Sequence, residues 1–213
     1  MNETDQRNAI VAAALATVTA GLNRGSSGNV SVRFGAGFLI TPSGLPATEI
    51  RPDQVAIMAM TGQAEGPLPP SSEWRIHRDV YRARPEAGAV VHVHSPFAVS
   101  LACLRRTIPS FHYMVAVAGG EDIRCAAYAT FGSQALSDHV LAALAGRKAC
   151  LMANHGLIVM ADNLTKAIAL AVEVEALCEQ YWRASLLGEP VLLNAAEMAE
   201  AMAAFKGYGQ FAR

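Results

Sequence analysis

The chain carries little charge and no block of one sign: charged residues make up 16% of its 213 residues, and the formal net charge is -1. No basic face or tail is available to neutralise a phosphate backbone, so nucleic acid is not an expected partner. Nor does any apolar run approach the roughly 20 residues that a membrane-spanning helix needs, and a membrane is not expected either. The start, MNETDQRNAI, is polar and acidic where a secretory signal would begin basic and turn apolar, which makes the cytoplasm the expected location. Cysteine is sparse: Cys103, Cys125, Cys150 and Cys178 form no Cys-x-x-Cys, and their apolar neighbours mark them as free core thiols. His-x-x-x-His is also missing. The common zinc-protease and structural-zinc patterns go with it, so a metal bound here would be catalytic.

Hydrophobic residues, at 52%, are plentiful enough for one substantial core, and residues 1–213 are expected to form a single domain. Apolar residues at helical spacing predict a helix over 5–22, closed by the Gly21 region. After the polar stretch Gly25-Ser26-Ser27-Gly28-Asn29 come short β-type runs at 30–34, 38–41 and 55–60, the first two joined as a hairpin by Gly35-Ala36-Gly37. The run Gly66-Pro67-Leu68-Pro69-Pro70 excludes regular structure and ends on Ser71-Ser72-Glu73, a serine N-cap signal for a helix running to about Arg82. A Val-rich strand over 87–94 follows, then a short helix opened by Pro96. Further strands are predicted at 125–129, 149–153 and 157–161, with helices over 133–145 and 164–187. Early hairpins and later interleaved helices predict an α/β fold: a mainly antiparallel sheet covered by helices on both sides.

His92-Val93-His94 lies on one of these strands, where side chains two apart project from the same face, so both imidazoles enter one space. That is chelating geometry, and catalytic zinc commonly takes three protein ligands plus an open position. His155, in Asn154-His155-Gly156 between two strand-like runs, is the candidate third ligand, with the glycine read as permitting a tight turn. Ordinary hydrogen-bonded histidines are the alternative. His77, one turn after Glu73, reads mainly as structural; His112 and His139 have no partner at ligand spacing.

Three polar clusters suit phosphate: Ser26-Ser27-Gly28-Asn29, Ser43-Gly44 and Ser71-Ser72. Small hydroxyls and glycine-exposed N–H groups make neutral anion nests, and the last pair lies at a helix start. Each cluster alone also reads as a turn or a cap, so only their convergence in space would matter. Glu73 either complements the positive end of the helix dipole or serves as a general base between nest and metal. Spacing leaves both open.

GSSGNVSV, LITPSG, PSSEWRIH, AVVHVHS, PSFHYM, YATFGS and NHGLI, in this order, resemble the class II aldolase and adducin family, most closely its L-fuculose-1-phosphate aldolase branch, and the resemblance runs to the FKGYG tail. It implies a three-layer α/β/α fold and a homotetramer with active sites between subunits. It also implies His92, His94 and His155 as ligands of one zinc ion, and Ser26, Gly28, Asn29, Ser43, Gly44, Ser71 and Ser72 around the substrate phosphate. Serine stands at 26 and 43 where the family carries threonine, which keeps the hydroxyl. Glu73 matches the catalytic acid and base, Tyr113 a tyrosine lent by a neighbouring subunit, and Tyr208 a tyrosine on a mobile tail, residues 205–213, that covers the site.

The implied reaction is reversible cleavage of a ketose 1-phosphate to dihydroxyacetone phosphate and an aldehyde, with zinc stabilising the enediolate and Glu73 moving its proton. L-fuculose, 5-deoxypentulose and 5-methylthioribulose 1-phosphates stay open as substrates. A Schiff-base route has no support, because Lys148, Lys166 and Lys206 are the only lysines and none adjoins the motifs. Within the family, a pentulose-phosphate 4-epimerase would carry aspartate in place of Glu73, and a methylthioribulose-phosphate dehydratase would release no dihydroxyacetone phosphate. An adducin-like interaction module would lack the three histidines.

Overall fold

The structure, a computed structural model, describes residues 2–205. Helix α1 (Glu3–Thr19) starts from Asn2, whose side chain accepts from Asp5 N–H while the Asp5 carboxylate accepts from Asn2 N–H. Strands β1 (Asn29–Phe34) and β2 (Gly37–Ile40) form the expected antiparallel hairpin, extended by β3 (Ala56–Ala59) and a short β4 (Ala64–Glu65). Helix α2 (Trp74–Ala83) leads into β5 (Ala89–Val93) and α3 (Pro96–Cys103). Then come a 3-10 helix (Tyr113–Ala118), β6 (Cys125–Ala126), α4 (Gln134–Ala143), β7 (Ala149–Met152), β8 (Gly156–Ala161), α5 (Leu164–Leu187) and α6 (Ala195–Phe205).

Among the described residues the strands make one sheet in the order β4-β3-β2-β1-β5-β8-β7-β6, with every neighbouring pair antiparallel except β6 and β7. Alternation along the strands sends side chains to two apolar layers. Ala89, Val91 and Val93 of β5 pack with Val30, Val32, Leu157 and Val159 toward α1, α3 and α5. Val90 packs with Phe38, Met58, Ile158 and Met160 toward α2 and α4, through Ile76, Val80, Leu136 and Val140. The expected sheet with helices on both faces is therefore present. No described helix is long and apolar enough to cross a membrane.

Several local expectations change. The N-cap of α2 is Glu73 rather than a serine, and the Ser71 hydroxyl instead accepts from Glu73 N–H at 3.3 Å. Strand β6 stops at Ala126, three residues short of the predicted end. Of the four cysteines only Cys150 and Cys178 are core; Cys125 is half-buried and Cys103 exposed. Helix α6 escaped the sequence reading although Asn194 and Glu197 carry its signal: the Asn194 side chain accepts from Ala196 and Glu197 N–H, and Glu197 accepts from Asn194 N–H.

Candidate active site

Four segments meet at one end of the central strands: the start of β1, the end of β5, the β7–β8 turn and the N-terminus of α2. Register places Asn29 of β1 beside His92 of β5, and His92 beside Ile158 of β8. His92 and Val90 share the face that looks toward α2, so the carboxylate at the head of that helix reaches the imidazole. The rings of His92, His94 and His155 lie 4.8, 4.9 and 5.0 Å apart, each pair edge-on.

The His92 Nδ1–H donates to the Leu157 carbonyl at 2.9 Å, which turns its Nε2 inward. That Nε2 stands 2.9 Å from His94 Nε2 and 3.1 Å from Glu73 Oε2, while His155 Nε2 stands 3.2 Å from Glu73 Oε1. One ligand atom from each of the four residues falls within a 4.8 Å group. Glu73 Oε1 is buried and accepts no hydrogen bond. Lone pairs crowded together without donors repel one another unless a cation sits among them. Around zinc at its usual bond lengths, tetrahedral ligand atoms are about 3.4 Å apart, close to the spacings seen, and imidazole with carboxylate is a donor set zinc accepts. The cluster therefore fits a divalent metal.

Electrostatics agree. Burial would raise the Glu73 carboxyl, but the charge and hydrogen bond of His92, then His155 and Asn29, hold it far below the usual carboxylate range. Burial pulls His92 down, yet Glu73 and the Leu157 carbonyl outweigh it and leave the imidazole above its ordinary value. His94 falls to about 4 through burial and the charges of His92 and His155. His155 falls to about 4 through burial and His92. At neutral pH the latter two are neutral ligands, and the carboxylate that raises His92 is the same charge that suits a cation.

Above the cluster opens a cavity of about 370 Å³, a size in the range of small-molecule sites. All three serine and glycine clusters line it: Ser26, Ser27, Gly28 and Asn29 from one loop, Ser43 and Gly44 from another, Ser71 and Ser72 before α2. Glu73, His94 and His155 form its floor, and among the described residues no lysine or arginine lines it. An anion there meets hydroxyls, backbone N–H groups and the positive end of α2. Tyr128, Ala129, Phe131 and Asn154 complete the wall. Sequence reading missed these four as site residues, although YATFGS and NHGLI hold them.

Two glycines are fixed by close approach. Gly28 has φ +76°, and a Cβ there would stand 2.6 Å from the His92 carbonyl oxygen. At Gly156 a Cβ would stand 2.5 Å from the Val93 carbonyl oxygen and 3.1 Å from the His92 ring. The tight-turn reading of Gly156 is thus corrected: Asn154 takes the left-handed turn position, φ 54°, and Gly156 makes room for imidazoles.

Tyr113 is exposed at 53%, outside the cavity lining of its own chain, and stacks on Phe205. Tyr208 and the rest of the tail after Phe205 lie outside the described residues. His77 is fully buried and hydrogen-bonded, His112 caps the 3-10 helix at Met114 N–H, and His139 faces the Ala127 carbonyl on the far side of α4.

Comparison with known proteins gives one consistent answer. The family described as "Class II Aldolase and Adducin N-terminal domain" matches residues 8–182. A 5-methylthioribulose-1-phosphate/5-deoxyribulose-1-phosphate aldolase of Rhodospirillum rubrum is 55% identical over 207 residues, 97% of this chain and 94% of that protein. The L-fuculose phosphate aldolase of Escherichia coli strain K12 is 46% identical over 190 residues, 89% of this chain and 88% of its own. A solved L-fuculose 1-phosphate aldolase structure superposes with TM-score 0.92 at 38% identity, covering 95% of this chain and 96% of that one.

Proposed function

The chain belongs to the class II aldolase and adducin family, and from that premise we propose that it is a zinc-dependent aldolase. Its reaction is the reversible cleavage of a ketose 1-phosphate to dihydroxyacetone phosphate and an aldehyde. The observation that carries this reading is the convergence of three histidines and Glu73 at the base of a cavity whose rim, among the described residues, holds neutral anion-binding groups. Such an arrangement receives a phosphate at one end and a hydroxyl-carbonyl pair at the other.

His92, His94 and His155 would hold the ion, with Glu73 beside them. Zinc supplies Lewis acidity toward the hydroxyl and carbonyl oxygens of a bound ketose phosphate. Ser26, Asn29, Ser43, Gly44, Ser71 and Ser72, with the backbone at Gly28, hold the phosphate and so aim the carbon chain at the imidazoles. As the bond between carbons three and four breaks, its electron pair stays with the three-carbon phosphate. The hydroxyl proton on carbon four leaves through Tyr113 of a neighbouring subunit, and Glu73 returns a proton to carbon three. The exposure of Tyr113 and its place outside its own cavity support an active site completed within a homotetramer. Tyr208 would close over the bound substrate.

For the substrate, the wall formed by Tyr128, Ala129 and Phe131 favours an aldehyde that ends on an apolar group. The 55% identity to the Rhodospirillum rubrum enzyme favours 5-methylthioribulose or 5-deoxyribulose 1-phosphate over L-fuculose 1-phosphate. The test is kcat/KM for dihydroxyacetone phosphate release across these three compounds. The highest value is expected for one of the first two; a clear preference for L-fuculose 1-phosphate overturns the assignment, and no release from any of them overturns the reaction.

A further inference from the structure

One stripe of α2 and one face of β1 carry buried polar side chains, of which the reaction above uses Glu73 and Asn29 but not His77, Tyr81 or Ser31. Glu73, His77 and Tyr81 recur at a spacing of four, and Asn29 and Ser31 at a spacing of two. Four residues of helix rise about 6 Å and two residues of strand about 6.7 Å, so the two series stay in step across the interface. The result is a buried line of contacts. Asn29 Nδ2 donates to Glu73 Oε2 at 3.0 Å, Asn29 Oδ1 meets His77 Nε2 at 2.5 Å, His77 Nδ1 meets Ser31 Oγ at 2.6 Å, and Ser31 Oγ meets Tyr81 OH at 2.8 Å. None of the five is more than 6% exposed.

Donor chemistry sets the direction of every link. An ionised Glu73 only accepts, so the Asn29 amide must turn its NH2 toward the carboxylate and its carbonyl toward His77. That carbonyl only accepts, so His77 carries its proton on Nε2. Its Nδ1 then accepts from the Ser31 hydroxyl, and Ser31 in turn accepts from Tyr81 O–H. All four donors point at Glu73. With the amide reversed, its oxygen would face the Glu73 carboxylate oxygen at 3.0 Å with no proton between them.

We propose that His77 is a positioning residue: locked as the Nε2–H tautomer by Ser31 and Tyr81, it fixes the Asn29 amide and through it the carboxylate of Glu73. The inference rests on the reading of Glu73 as proton carrier. It gives a task to a histidine that touches neither the cavity nor the candidate ligands, and it explains why a fully buried stripe is polar where aliphatic side chains would pack.

Two measurements on the zinc-loaded full chain test it. Nitrogen-15 NMR of the imidazoles should show His77 as the neutral Nε2–H tautomer; an Nδ1–H or doubly protonated ring overturns the relay whatever the enzyme does. Solvent exchange of the hydroxymethyl hydrogen of dihydroxyacetone phosphate in deuterium oxide reads the proton transfer at Glu73 without any aldehyde. His77→Leu should slow this exchange and kcat by roughly 10 to 100-fold, as losing an orienting partner does, with zinc content unchanged. His77→Gln, whose amide N–H falls where Nε2–H was, should restore most of the rate. Equal damage in both variants, or none in His77→Leu, overturns the proposal. Should His77→Leu fail to fold, Ser31→Ala removes the hydroxyl that fixes the tautomer, and unchanged exchange there overturns it equally. If the unmodified enzyme exchanges no hydrogen, the aldolase reading falls instead, while the tautomer still judges the relay.

Discussion

Glu73 stands in contact with two of the three histidines, at 3.1 Å and 3.2 Å, yet three imidazoles suffice to keep zinc, so a fourth group there is free to move a proton. Glu73→Gln is therefore expected to retain about one zinc per subunit while cleavage falls by roughly 10²- to 10⁴-fold, measured by metal analysis beside the dihydroxyacetone phosphate assay. His77 sets a pH effect of its own. Burial, then the charge of His92, lowers it from 6.5 to about 3 against the pull of Glu73. Between those values the unfolded chain binds a proton that the native protein refuses. Stability is thus full above about 6.5 and lost as pH falls toward about 3, by up to about 1.4 kcal/mol per pH unit for this group. Urea titrations from pH 7 to 4.5 should show the decline, with a shallower slope in His77→Gln. The His92–His94 pair was legible in the sequence because a period of two is a local property of strands. The partnership of Glu73 with Asn29 and His92 was not, because it joins a helix end to two separate strands, 44 residues apart in the first case.

Elements repeat that division. The predicted 164–187 helix matches α5 to its ends, and its signals are local: apolar spacing and an Asn163 cap that accepts from Lys166 N–H at 2.9 Å. The start of α2 slipped because three polar residues in a row all look like caps, and only the packed structure decides which one turns. Helix α3 shows a cap that no local rule could find. Its first N–H groups, on Phe97 and Ala98, donate to Glu175 of α5 at 2.8 and 2.9 Å, and the buried Ser95 hydroxyl donates to the same carboxylate at 2.6 Å. This clamp sits one residue beyond His94, whose own N–H donates to Asn23 Oδ1 at 2.8 Å. Glu175→Ala leaves three donors unpaired and is expected to cost about 1 to 3 kcal/mol by urea denaturation. It should also weaken zinc binding in a competitive chelator titration, because the segment carrying His94 loses its anchor. Unchanged metal affinity would confine Glu175 to helix capping.

At the scale of the molecule, the α/β class and the helices on both faces were legible, but the strand order β4-β3-β2-β1-β5-β8-β7-β6 was not. Periodicity tells which face of a strand is buried and nothing about its neighbours; the β1–β5 pairing at the site joins residues 29 and 92 across an intervening hairpin and helix. The β1–β2 hairpin and the bridge between Pro42 and Pro70 turn separate serine and glycine turns into one cradle, which explains why each was ambiguous alone. Exposed Leu186, Leu187, Val191 and Leu192 at the end of α5 leave an apolar surface outside the core, in keeping with the proposed homotetramer. The central claim is metal-dependent cleavage at the three-histidine cluster. Its most direct measurement is dihydroxyacetone phosphate release from 5-methylthioribulose 1-phosphate by protein stripped with a chelator, then given back one equivalent of zinc. The expected result is loss of cleavage on stripping and recovery on addition, with no recovery in His155→Ala at that zinc level. Cleavage that persists in the stripped protein would contradict the claim.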